Sequence, residues 1–187
     1  MIGRPITELT VGESTELTRT ITHRMISDFA ETVGDENPLH SDQAFAERVS
    51  FKEPIAPGIL TGGLVSAAIG TQLPGPGTLY MSQEFKFLKP VYGGDTITVR
   101  VEVAELISDR NRARLRTVCV NQRGEEVLTG DAWVKPPKER IVYDQNAARP
   151  AALGTQPLPL VWTAMAVQAW SQSALSMLAH WRRDATT

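Results

Sequence analysis

The chain has 187 residues, with 19 basic and 21 acidic side chains, a formal net charge of −2 and a hydrophobic fraction of 42%. This is the composition of an ordinary globular protein, long enough to bury a core without disulfides or metal. Cys119 is the single cysteine, which excludes an internal disulfide and any cysteine-based zinc site, and the lack of a basic stripe argues against nucleic acid as a partner.

The start, Met1-Ile2-Gly3-Arg4-Pro5, lacks the apolar region of a signal peptide, and no apolar run is long enough to span a membrane, so a cytoplasmic location is the default expectation. Residues 13–22 alternate weakly, as a strand would. Thr22 is placed to cap a helix whose apolar face is Met25, Ile26, Phe29, Ala30 and Val33, and Gly34 stops it. Residues 35–41 read as a loop, because Asn37-Pro38 disfavours helical geometry. A short helix over 42–49 follows, with Asp42 as its cap.

Residues 55–73 carry no charge, with Pro57-Gly58 near their start, and from Ile59 onward they are apolar and small. They predict a helix buried on nearly all sides, stopped by Leu73-Pro74-Gly75-Pro76-Gly77. Strands then dominate. Met81, Gln83, Phe85 and Phe87 alternate with polar residues, as do Ile97, Val99, Val101 and Val103, and residues 112–122 and 127–134 read as two more strands joined by a turn at Arg123-Gly124. Antiparallel strands after one buried helix make an α+β pattern, most simply a sheet wrapped around that helix. The pattern breaks at Lys135-Pro136-Pro137-Lys138. We divide the chain into a domain over 1–139, a linker over 140–159 rich in Ala, Pro, Gly and Gln, and an apolar helix over 160–187.

The chemistry is concentrated in Gly34-Asp35-Glu36-Asn37-Pro38-Leu39-His40-Ser41-Asp42. Asp35 and His40 flank a proline-containing loop, so their side chains can converge, and His exchanges protons near neutral pH. Taken alone, the spacing favours a turn-capping Asp35 and a surface His40; the full nine-residue run and its context reverse that reading. Gly58 opens the buried helix, where free N–H groups and the helix dipole favour negative charge. It also permits a tight entry into that helix, and both roles are compatible.

The nine-residue run resembles the signature of the MaoC-like, (R)-specific enoyl-CoA hydratases, in the form Gly-Asp-x-Asn-Pro-Leu-His-x-Asp. The resemblance continues through Ala56-Pro57-Gly58-Ile59-Leu60, Gly75 to Tyr80, and Lys89-Pro90-Val91 to Asp95, and spans roughly residues 15–136. It implies a hot-dog fold, with two subunits paired so that their sheets join, and reversible hydration of a trans-2-enoyl-CoA to the (R)-3-hydroxyacyl-CoA. It implies Asp35 and His40 as the acid/base pair on one water, Gly58 as the oxyanion donor, Asn37 as a loop holder and Ser66 as a hydrogen-bonding partner of Asp35. Ser66 fits equally a helix serine bonded to its own backbone. No cofactor or metal is implied, because the coenzyme A thioester is the substrate. Many members of the family have His where this chain has Pro57; proline has no N–H and no polar side chain, so the contact made by that histidine is in doubt, while the role of Gly58 is not.

Hydration of a conjugated thioester needs a base for the water, a proton donor for the carbon next to the carbonyl, and a stabiliser for the enolate-like oxygen, and these residue types supply all three. His23 and His180 read as surface or capping residues and Cys119 as a core residue. No cluster has metal-ligand spacing, and Gly75-Pro76-Gly77 lacks the context of a phosphate loop. The segment from Leu160 to Arg183, with Trp162, Trp170 and Trp181, packs on the domain or on a second subunit in one reading. In the other it adheres to a hydrophobic granule or membrane surface, an idea suggested by the supply role of related hydratases in polyhydroxyalkanoate synthesis. Two alternatives to the hydratase are a hot-dog acyl-CoA thioesterase and a non-catalytic acyl-CoA- or granule-binding subunit. Acyl-chain length, and coenzyme A versus carrier protein, are not legible.

Overall fold

The computed structural model describes residues 1–144; most of the linker and the whole apolar helix over 160–187 lie outside the described residues. In chain order the elements are β1 (Ile2–Gly3), β2 (Ser14–Thr20), α1 (His23–Val33), α2 (Gln43–Arg48), α3 (Gly58–Thr71), β3 (Leu79–Phe87), β4 (Thr96–Ile107), β5 (Arg112–Val120), β6 (Glu126–Lys135) and β7 (Ile141–Val142). In the last of these, Ile141 and Val142 pair with Gly3 and Ile2, and the compact unit runs Met1–Asp144.

The main sheet is antiparallel and five-stranded, in the order β2-β4-β5-β6-β3. β4 is long and alternates strictly, so its inward set of Ile97, Val99, Val101 and Val103 has no solvent exposure. α3 lies on this face and contributes Leu64, Val65, Ala68 and Ile69 to the same core. Each Val, Leu or Ile among them stabilises the fold by about 1.5–3 kcal/mol when fully buried. Two glycines bring α3 close to β3: a Cβ on Gly58 would stand 2.8 Å from the Phe87 ring, and one on Gly62 would stand 2.7 Å from the Phe85 ring.

The composition of α3 predicted burial on nearly all sides, but one side is open. Ile59, Gly63 and Ser66 form an exposed stripe at helical spacing, because the single chain offers a sheet on only one side. The edge strand β3 is also apolar and open, with Leu79 62% and Met81 39% exposed.

The caps follow the sequence. The Thr22 hydroxyl accepts from the Met25 N–H at 3.1 Å, and the Asp42 carboxylate accepts from the Phe45 N–H at 3.0 Å. Gly34 ends α1 in the left-handed region at φ 71°, which turns the chain directly into the loop bearing Asp35.

Candidate active site

Asp35 is fastened at both ends of the residue. Its N–H donates to the Ala30 carbonyl at 2.8 Å, and its Oδ1 accepts from the Asn37 N–H at 3.1 Å. Asn37 then caps the short 3-10 turn Pro38–His40, its Oδ1 accepting from the Leu39 N–H at 3.1 Å. This is an Asx-type device in which proline fixes the first position of the turn. The turn carries His40 back over Asp35, so that His40 Nε2 lies 3.5 Å from Asp35 Oδ2. The two side chains are 11% and 33% exposed, so the pair is sheltered yet reachable.

The other nitrogen of His40 is occupied. Nδ1 lies 2.7 Å from the carbonyl oxygen of Ile55. A carbonyl only accepts, so Nδ1 carries the proton and Nε2 is left to exchange one with whatever sits beside Asp35. The pair lies in a cavity of about 390 Å³ with Asn37, Ser41, Pro54, His23 and Arg24. His23, which reads as a surface residue in the sequence, therefore borders the pair. Its ring also covers Gly93, where a side chain would meet that ring. Neither contact has a local sequence signal.

Gly58 begins α3, and no side chain caps that end. Among the described residues its N–H has no hydrogen-bond partner. It lines a second cavity of about 470 Å³ with Ile55, Ala56, Ile59, Thr61, Phe87 and Lys89 among its walls. The two cavities share one physical link: Ile55, whose carbonyl holds His40, lies three residues before Gly58. That stretch of chain spans at most roughly 10 Å, so the amide and the imidazole are bound to the same short segment. Ser66 stands exposed on α3 and makes no hydrogen bond to Asp35 within the single chain. Among the described residues no group of His, Cys, Asp or Glu is arranged to hold a metal, and no helix is long and apolar enough to cross a membrane.

The sequence matches the family described as "MaoC like domain" over residues 8–125. It is 48% identical over 132 residues to the 3-hydroxybutyryl-CoA dehydratase of Methylorubrum extorquens, covering 71% of this chain and 83% of that one. It is 40% identical over 129 residues to the (R)-specific enoyl-CoA hydratase of Aeromonas caviae, covering 69% and 96%. In structure it is similar to the unliganded R-hydratase PhaJ1 of Pseudomonas aeruginosa, with a TM-score of 0.73, 42% identity, and coverage of 82% of this chain and 98% of that one. The (R)-hydratase of A. caviae gives a TM-score of 0.67 at 40% identity, with 70% and 98% covered. The sheet wrapped on α3 is thus the hot-dog fold, and the chain belongs to the MaoC-like domain family.

Proposed function

We propose that this protein is an (R)-specific enoyl-CoA hydratase, adding water reversibly across the C2–C3 double bond of a trans-2-enoyl-CoA. The observation that carries the proposal is the approach of His40 Nε2 to Asp35 Oδ2 at 3.5 Å, with His40 Nδ1 committed to the Ile55 carbonyl. A water held between the two side chains loses a proton to the pair as its oxygen attacks C3. The π electrons move through C2 onto the thioester oxygen, where the Gly58 N–H and the dipole of α3 meet the developing charge. The electrons return as C2 takes a proton from the pair. Hydroxyl and proton come from one side, so they add to one face. Relatives named for this activity at 40–48% identity support the substrate class.

The exposed apolar stripe of α3 and the open edge of β3 favour a homodimer with joined sheets. In that dimer the exposed Ser66 is covered, and its expected contact with Asp35 belongs to the assembled form. The test is spectroscopic. Incubation with crotonyl-CoA should lower the enoyl absorbance to an equilibrium value and yield (R)-3-hydroxybutyryl-CoA without free thiol; thiol release without hydration would overturn the reading in favour of a thioesterase.

A further inference from the structure

Both halves of the site hang on the loop over residues 91–95. The Ala56 N–H donates to the Val91 carbonyl at 2.8 Å, and Ile55 bridges Tyr92 in antiparallel fashion. Ile55 is the residue whose carbonyl fixes His40 at 2.7 Å, and its N–H donates to the Leu39 carbonyl at 3.2 Å. Any shift of the loop therefore moves the imidazole and the start of α3 together.

The loop is closed by one buried carboxylate. Asp95 is 5% exposed. Its Oδ2 accepts from the Tyr92 N–H at 3.0 Å, and its Oδ1 accepts from Gln122 Nε2 at 2.7 Å, with the Arg123 guanidinium 3.4 Å away. The Asp95 carbonyl accepts from the Ile21 N–H at 2.8 Å, and the Gly94 N–H donates to the Ile21 carbonyl at 2.7 Å. The same loop is thereby tied to the segment leading into α1, whose C-cap Gly34 immediately precedes Asp35. A charge this buried is costly unless fully paired, and here every partner is on or beside the loop.

We infer that Asp95 is a positioning residue: by clamping the 91–95 loop it holds the Ile55 carbonyl on His40 Nδ1 and keeps the Gly58 amide in register with the Asp35/His40 pair. The inference rests on the hydratase reading for its kinetic arm only. In the full chain, Asp95→Ala should lower kcat on crotonyl-CoA by about 10²-fold, the size expected for a small misplacement of catalytic groups. KM should stay within about twofold, because the loss falls on the transition state. The hydrogen-bonded His40 Nδ1–H resonance in 15N-labelled protein should broaden or vanish. Asp95→Asn, which keeps one of the two acceptor oxygens, should fall between Asp95→Ala and wild type on both readouts. A folded Asp95→Ala with unchanged kcat and an unchanged His40 resonance would overturn the inference; should that variant fail to fold, Asp95→Asn decides by the same measurements. A wild-type protein that shows the resonance but no turnover would sink the hydratase reading and leave the spectroscopic arm to judge Asp95.

Discussion

The side chains to which we assign the chemistry are few, and their neighbours decide what they can do. His40 would be an ordinary imidazole without Ile55; the carbonyl fixes which nitrogen carries the proton. Gly58 is constrained from two directions, since its N–H is unpartnered among the described residues and its missing side chain makes room for Phe87. Gly58→Ala should place a methyl group against that ring, lower kcat by about 10-fold or more through a displaced amide, and lower the melting temperature. Phe87→Leu in the same background should restore melting more than rate. Calorimetry and initial rates separate the two effects. Cys119 shows the opposite case: complete burial pushes its thiol up to about 12. It should stay unlabelled by iodoacetamide in native protein and react only on unfolding.

Strands and turns set the frame. Gly130 on β6 lies so close to the Glu84 carbonyl on β3 that a side chain would push the strands apart. Gly130→Ala should destabilise the fold by about 2 kcal/mol or more, a steric change with no room to relax, measured by urea unfolding. The loop clamp predicts a pH dependence. Burial alone would push the Asp95 carboxyl up, but the Tyr92 N–H, Gln122 and Arg123 hold it below the usual range. The nearby Glu125, held by Asn121, Lys89 and Arg123, lies at about 2. Both folded values are depressed, so their stabilisation is present above the unfolded carboxylate range of about 4 and is lost as pH falls through the folded values. Urea midpoints should therefore drop between about pH 4 and pH 2, less steeply in Asp95→Asn and Glu125→Gln.

Much of this frame was legible because it is local. The caps at Thr22 and Asp42, the stop at Gly34 and the alternation of β4 are each written within a few residues. So was the loop of Asp35, Asn37 and His40, since Asn37-Pro38 dictates the turn that brings the pair together. The Ile55 carbonyl, the cover of His23 over Gly93 and the Asp95 clamp were not. They depend on backbone groups or on partners many residues away, and neither leaves a periodic or motif signal. The exposed stripe of α3 escaped for a different reason: composition reports that a helix is apolar all round, not which side its own chain covers.

For the molecule as a whole, the described unit closes on itself through β1 and β7, with the Met1 amino group donating to the Tyr143 carbonyl at 2.8 Å. A chain cut after Asp144 should therefore keep the wild-type melting temperature and hydration rate; relatives whose own lengths are nearly fully matched by about 70% of this chain support the same expectation. Aggregation of the cut chain would assign the remaining segment a part in the core. Sedimentation should find a dimer, and Met81→Lys on the open edge of β3 should shift it towards monomer.

Removing either member of the Asp35/His40 pair reports on the proposed mechanism most directly. With crotonyl-CoA as substrate, Asp35→Asn and His40→Ala should each lower kcat by about 10²- to 10⁴-fold, the contribution of a positioned acid or base, in folded protein of wild-type melting temperature. Near wild-type turnover in either variant would contradict the account.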